Sequence, residues 1–203
     1  MIGLINYGMG NLGSVRRTFE ILNIDNKIIN NSSEISNCEK LVLPGVGNFS
    51  NAMKILNNDG WSKEIINHTI NKKKPLLGIC LGMQLLAKTG TEGEVVDGLG
   101  LIDGTVKTFN FNNNELRIPH VGWNSLESLD NNSRLLNEIE QNTDFYFVHS
   151  YYLETSPQTA AASTNYGIDF CSVVEIENIF GTQFHPEKSS RSGRKILENF
   201  SKI

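Results

Sequence analysis

The N-terminal half of the chain alternates short apolar runs with helical patterns, and this alternation is the strongest constraint on its fold. Strand-like runs are predicted at residues 2–7, 27–29, 40–43 and 76–79. Helices are predicted by the face that Val15, Phe19 and Leu22 form, and at 52–56, 61–70 and 81–88. Because connections between neighbouring parallel strands pack helices against a sheet, the pattern predicts a parallel sheet with helices on both faces.

The second half is richer in strands. Extended runs are predicted at residues 101–109, 145–153, 159–163, 171–175 and 179–183. Ile196, Phe200 and Ile203 mark one face of a closing helix, and the polar stretches 110–114 and 130–133 indicate surface loops. The predicted fold class is therefore α/β, with an open, mostly parallel sheet and a strand-rich second half, in a single domain of 203 residues.

Composition excludes several classes of function. The net charge of -4 argues against a nucleic-acid-binding protein, which needs a basic surface. No run approaches the ~20 apolar residues of a membrane span, and the N-terminus lacks the pattern of a signal peptide. The three cysteines, Cys38, Cys80 and Cys171, are too widely spaced for a zinc motif or a disulfide framework. We therefore expect a cytoplasmic protein without metal or cofactor.

One cysteine lies in a motif that carries chemistry. Gly78-Ile79-Cys80-Leu81-Gly82 follows an apolar strand and precedes a helix, which is the context of a nucleophile elbow. The flanking glycines permit a tight turn, and the positive end of the helix dipole favours a thiolate. The backbone N–H of Leu81 is placed to donate to an oxyanion. Cys38 and Cys171 lack such a context and are interpreted as structural.

A histidine and a glutamate two residues apart form the second motif, Gln183-Phe184-His185-Pro186-Glu187. In extended backbone, residues i and i+2 point to the same side, and Pro186 keeps the segment out of a helix. Glu187 can then orient His185 as a base. A surface turn is the alternative for this segment alone, but an elbow cysteine elsewhere favours a Cys–His–Glu triad.

The third motif, Pro44-Gly45-Val46-Gly47, directly follows a predicted strand. A glycine-rich turn at the carboxyl end of a parallel strand can present backbone N–H groups to an anion. It could complete an oxyanion hole opposite Leu81. An ordinary strand-to-helix turn explains the same residues.

Together these motifs resemble those of class I (triad-type) glutamine amidotransferases. More narrowly, Asn6-Tyr7-Gly8-Met9-Gly10-Asn11, Pro119-His120-Val121-Gly122-Trp123-Asn124 and Tyr146-Phe147-Val148-His149-Ser150-Tyr151 resemble the glutaminase subunits of imidazole glycerol phosphate synthases. The resemblance spans nearly the whole chain. It implies glutamine hydrolysis, with the ammonia passed to a (β/α)₈-barrel partner that joins it to a nucleotide-derived substrate in histidine biosynthesis.

The resemblance also implies individual roles. Cys80 attacks the carboxamide, His185 transfers protons and Glu187 orients His185. The positions that match the substrate site are Gly47, Leu81, Gln84, Ser150 and Tyr151. The positions that match the partner interface are Trp123, Tyr146 and Lys188.

Two alternatives stay open. Tyr166-Gly167-Ile168-Asp169-Phe170 also resembles a side branch of the same group that supplies ammonia for amidating sugars of bacterial surface glycans. Gly8-Met9-Gly10-Asn11-Leu12-Gly13 is a literal dinucleotide-binding fingerprint, although the predicted second strand ends in Asn30 and not in an acidic residue. The remaining histidines are interpreted as solvated (His68), structural or interfacial (His120), and unsuited to be the base (His149).

Overall fold

The computed structural model describes residues 1–111 and 116–203, so most of the loop predicted at 110–114 lies outside the described residues. Within these ranges the α-helices are α1 (Leu12–Ile21), α2 (Phe49–Asn58), α3 (Trp61–Ile66), α4 (Leu81–Leu85) and α5 (Ser190–Lys202). The strands are β1 (Ile2–Ile5), β2 (Asn26–Ile29), β3 (Lys40–Gly45), β4 (Leu76–Cys80), β5 (Ala87–Gly90), β6 (Val96–Asp97), β7 (Ile102–Thr108), β8 (His120–Ser125), β9 (Ser128–Leu129), β10 (Asp144–His149), β11 (Tyr151–Thr155), β12 (Ala160–Asn165), β13 (Asp169–Ile176) and β14 (Ile179–Thr182).

Twelve of these strands form one sheet. Its main path runs β2-β1-β3-β4-β14-β13-β11-β7-β5-β6, with β12 and β9 branching from β13. The block from β2 to β14 is parallel throughout, whereas most pairs beyond it are antiparallel. A separate antiparallel sheet consists of β8 and β10. The predicted α/β class with a strand-rich second half is confirmed.

Helices cover both faces of the parallel block, as predicted. Alternate residues of β3 enter opposite cores, since Leu41 packs with one buried cluster and Val42 with the other. Helices α2 and α3 cover the first face, and α1 and α5 cover the second. Apolar layers therefore pack against both faces of the central strands, and this packing fixes the positions of the strand ends.

Two of the predicted elements were wrong. The helix predicted at 81–88 ends at Leu85, and residues Ala87–Gly90 form β5, because β7 pairs with this segment. The strand predicted at 145–153 is two strands, β10 and β11, which belong to different sheets. Phe145, Phe147, His149 and Leu153 all lie an even number of positions apart and are all buried, so the two-residue period did not reveal the change of partner near Ser150.

The register of the parallel block brings three strand ends together. Gly45 at the end of β3 lies beside Cys80 at the end of β4, and Thr182 of β14 lies beside Ile79. The carboxyl edge of a parallel sheet is the usual place for a ligand site. Among residues 1–111 and 116–203, no helix has the length and apolar character needed to span a membrane.

Candidate active site

Cys80 occupies a sharp turn between β4 and α4. Its backbone angles, φ 54° and ψ -111°, lie in a region that residues with a side chain rarely adopt. A Cβ at position 78 would lie 2.6 Å from the Gly82 carbonyl oxygen, and one at position 82 would lie 1.7 Å from the Leu43 carbonyl oxygen. Both flanking glycines are therefore sterically required for this turn.

His185 and Glu187 form a buried pair beside this turn. Nδ1 of His185 lies 2.8 Å from Oε1 of Glu187, and their side chains are only 2% and 1% exposed. The expectation of extended backbone was wrong, because Pro186–Lys188 is a short 3₁₀-helix. Proline is tolerated at the start of a helical turn, and this turn folds the Glu187 carboxylate back onto the imidazole.

Ser189 locks the position of the pair. Its hydroxyl donates to the His185 carbonyl at 2.6 Å and accepts from the Tyr146 N–H at 2.9 Å. The His185 N–H in turn donates to the Tyr146 carbonyl at 2.9 Å. These bonds tie the segment that carries His185 to strand β10.

The electrostatic environment favours a charged imidazole at His185. Burial, the largest single influence, favours the neutral ring, but the neighbouring Cys80 sulfur and Glu187 carboxylate together outweigh it. The pKa of His185 is raised from 6.5 to about 10. Its Nε2 atom is buried and has no hydrogen-bond partner among the described residues, so it remains available to the cavity beside Cys80.

Cys80 and His185 line one cavity of about 310 Å³. All five positions expected at the substrate site also line it, namely Gly47, Leu81, Gln84, Ser150 and Tyr151. The Cys80 sulfur lies 3.7 Å from the Val148 carbonyl oxygen and 3.8 Å from Nε2 of Gln183. The structure thus brings together residues from the separate motifs that follow β3, β4, β10 and β14.

Two backbone N–H groups near the cavity are candidate donors to an oxyanion. The Leu81 N–H lies in the first turn of α4, where helix geometry leaves it without an intrahelical acceptor. The Val46 N–H donates to the Met9 carbonyl at 3.2 Å and is not free for the cavity in this conformation. Gly47 next to it has φ 111°, which is open to glycine and strained for other residues.

Sequence reasoning missed four residues that line the cavity. Glu92 brings a carboxylate, whose Oε2 accepts from the Phe49 N–H at 2.7 Å. Pro119, Val148 and His149 complete the wall. No local motif marks Glu92, because its place depends on how the turn after β5 packs against α2.

The expected interface residues form an exposed patch at the sheet of β8 and β10. Trp123, which is 54% exposed, pairs across the strands with Tyr146, and their rings lie 6.1 Å apart. Nζ of Lys188 lies 5.8 Å from the Tyr146 ring centroid. Val121, two residues before Trp123 on β8, and Ile118 are also exposed apolar side chains.

His68 and the two other cysteines are all buried. His68 was expected to be solvated but is buried, and burial lowers its pKa to about 4. Cys38 and Cys171 are buried thiols that lie outside the cavity. In the part of the chain that the structure describes, no cluster of three metal-binding side chains occurs.

The carboxylate nearest the end of β2 belongs to Glu34, and both of its oxygens are engaged. Asn30 follows β2 and accepts from the Asn6 amide at 2.7 Å. Glu34 accepts from the Asn30 N–H at 3.0 Å and pairs with Lys27 at 2.6 Å. A Cβ at Gly10 would approach the Pro44 side chain to 3.2 Å, so the glycine loop packs against the β3 turn.

The fold and site define an α/β protein with an elbow cysteine and a buried histidine–glutamate pair. The family model of class-I glutamine amidotransferases matches residues 4–203, and the chain belongs to this family. It is 45% identical over 203 residues to imidazole glycerol phosphate synthase subunit HisH 1 of Campylobacter jejuni, with both chains fully covered. It is 44% identical over 204 residues to subunit HisH of Methanocaldococcus jannaschii, again with full coverage of both.

Solved structures support the fold independently of sequence. A glutamine amidotransferase crystal structure superposes with a TM-score of 0.76 at 19% identity, covering 100% of this chain and 99% of the other. The structure of PurLQS from Thermotoga maritima gives a TM-score of 0.73 at 19% identity, covering 98% and 96%.

Proposed function

We propose that residues 1–203 form a single glutaminase domain that hydrolyses L-glutamine to glutamate and ammonia. The observation that carries this proposal is the elbow Cys80 sharing one cavity with a histidine whose Nδ1 is held by a buried glutamate at 2.8 Å. Cys80 is the nucleophile, His185 the proton carrier, and Glu187 the group that orients His185.

In the first half-reaction, His185 carries a proton on Nε2 and the Cys80 sulfur attacks the carboxamide carbon as a thiolate. The raised pKa of His185 keeps this proton on the ring until the tetrahedral intermediate collapses. His185 then protonates the leaving nitrogen, and ammonia departs from a thioester on Cys80. In the second half-reaction, the neutral His185 takes a proton from water, and hydroxide attacks the thioester to release glutamate.

The developing oxyanion needs two donors in this scheme. The Leu81 N–H supplies one, and the Val46 N–H supplies the other once it leaves the Met9 carbonyl. The glycines on both sides of Val46 permit that peptide to turn. Glu92 provides a carboxylate for the α-ammonium group of glutamine, and the Gln84 amide lies at the same cavity.

The partner in this proposal is a (β/α)₈-barrel subunit that uses the ammonia to form imidazole glycerol phosphate and AICAR in histidine biosynthesis. The names of the full-length relatives at 44–45% identity support this assignment. The exposed patch of Trp123, Tyr146 and Lys188 provides the docking surface. A central aromatic anchor with a neighbouring cation is typical of interface hot spots.

Steady-state glutaminase assays with and without the barrel partner and its substrate test the proposal. Because one oxyanion donor is worth about a hundredfold in rate, the partner should raise turnover by at least that factor. Cys80→Ala should lose about 10⁴-fold or more, and a glutamine-like electrophile should label Cys80 while sparing Cys38 and Cys171. Full turnover by the isolated chain would contradict the coupling, and labelling of Cys80→Ala would contradict the nucleophile.

The acceptor is identified by following the aminated product in the same reaction mixtures. Ammonia transfer to the histidine-pathway nucleotide is the expected outcome. Transfer to a sugar by a different barrel partner would instead support the surface-glycan alternative.

A further inference from the structure

Two buried histidines that play no part in the triad form a hydrogen-bonded chain into the glutamine cavity. Nδ1 of His120 lies 3.0 Å from Nε2 of His149, and Nδ1 of His149 lies 2.8 Å from the Tyr151 carbonyl oxygen. At the outer end, Nδ2 of Asn124 lies 3.3 Å from Nε2 of His120. The chain therefore starts next to the exposed Trp123 on β8 and ends at the wall of the cavity.

The direction of every bond in this chain is fixed from both ends. Nδ2 of Asn124 also donates to the Asn165 carbonyl, and Oδ1 of Asn124 accepts from the Ser125 N–H, which settles the orientation of the amide. Nε2 of His120 must then be an acceptor, so Nδ1 of His120 carries the proton. From the other end, the Tyr151 carbonyl can only accept, so Nδ1 of His149 carries the proton. Both constraints give the same neutral tautomers.

The surroundings hold both rings neutral and in place. The His120 ring stacks between Tyr166, at 4.0 Å, and Phe147, at 5.0 Å. Burial lowers the pKa of His120 to about 4. Burial is also the main cause that lowers the pKa of His149 to about 3. At neutral pH each ring therefore has one donor and one acceptor, as the chain requires.

The chain continues from the Tyr151 carbonyl to the reactive sulfur. That carbonyl accepts a second hydrogen bond, at 2.8 Å, from Nε2 of Gln84. The same Nε2 donates to Oε1 of Gln183 at 3.0 Å, and Nε2 of Gln183 faces the Cys80 sulfur. Both hydrogens of the Gln84 amide nitrogen are thus committed, which leaves Oε1 of Gln84 as the atom free to accept from a ligand.

We propose that His120 and His149 are positioning residues that hold the Tyr151 carbonyl, and through it the Gln84 amide, in the orientation that binds glutamine. The proposal rests on the glutaminase function proposed above. Neither histidine touches the reacting atoms, so loss of these hydrogen bonds should weaken substrate binding more than it slows the chemical step.

Paired substitutions at position 149 test this role with the partner present. His149→Leu removes the donor to Tyr151 at similar size and should raise KM for glutamine about tenfold, with kcat within about threefold. His149→Asn keeps a donor at the Nδ1 position and should restore KM to within about threefold. His68 is a buried histidine outside this series of hydrogen bonds, so His68→Leu should leave KM and kcat unchanged. Equal kinetic effects of His149→Leu and His149→Asn, or an unchanged KM in His149→Leu, would overturn the proposal.

A spectroscopic readout on the wild-type chain needs no variant and is unaffected by misfolding. Imidazole ¹⁵N chemical shifts at pH 7 should show His120 and His149 neutral with the proton on Nδ1. A proton on Nε2 of either ring would contradict the direction of the chain. A wild-type protein without glutaminase activity would refute the proposed function instead, whatever the tautomers.

Discussion

Strain at the elbow should be measurable as stability. Cys80 has φ 54° and ψ -111°, far from the αL region that non-glycine residues tolerate, so its backbone strain lies near the upper end of about 1–3 kcal/mol. Cys80→Gly relieves this strain, whereas Cys80→Ala retains it. Two effects oppose this gain in stability. Glycine has greater freedom in the unfolded chain, which costs about 0.5–1 kcal/mol, and the loss of a buried methyl costs about 0.8 kcal/mol.

The glycine variant should therefore be more stable than the alanine variant by about 1 kcal/mol. For a chain of this size that difference raises Tm by about 2–4 °C. Urea titration and thermal melts of the two inactive variants measure it directly. Ala52→Gly in the regular helix α2 serves as the control and should lower stability, because no strain is relieved there. A Cys80→Gly protein no more stable than Cys80→Ala would refute stored strain at the elbow.

Three further outcomes are expected. Glu187→Gln should keep the fold yet lose most partner-activated turnover, because an amide can hold the wrong imidazole tautomer; near-normal turnover would make Glu187 merely structural. Trp123→Ala should reduce activation by the partner without changing basal turnover of the isolated chain, and a lower basal rate would contradict an interface role. The buried histidines His68, His120 and His149 have lowered pKa values, so the unfolded chain binds more protons below pH 6.5. Stability measured by urea titration should thus fall from pH 6.5 towards pH 4 by up to about 1.4 kcal/mol per pH unit for each, and His68→Gln should reduce this slope.

The elbow could be predicted from sequence because its determinants are local. Gly78 and Gly82 are required by contacts within the turn and with the adjacent β3, and both contacts follow from one strand-to-helix connection. The proximity of His185 to Glu187 was also predicted, but the prediction assumed an extended backbone that the structure does not contain. A two-residue separation suits both a strand and the 3₁₀-turn that the structure contains.

Residues that act through distant contacts could not be predicted in the same way. Glu92 reaches the cavity only because the turn after β5 packs against the start of α2. His120 and His149 lie 29 positions apart, and their hydrogen bond depends on the pairing of β8 with β10. Such pairings are set by the whole fold and leave no periodic signal in a single sequence.

The two-strand sheet of β8 and β10 is separate from the twelve-strand sheet that holds the elbow. It carries Trp123 and Tyr146 on its exposed side, while the cysteine turn is built from β3, β4 and α4. Under the proposed function, substitutions of the exposed Trp123 and Tyr146 side chains alter recognition of the partner without touching the cysteine turn, whereas the buried His120 and His149 of the same sheet are constrained by the glutamine site.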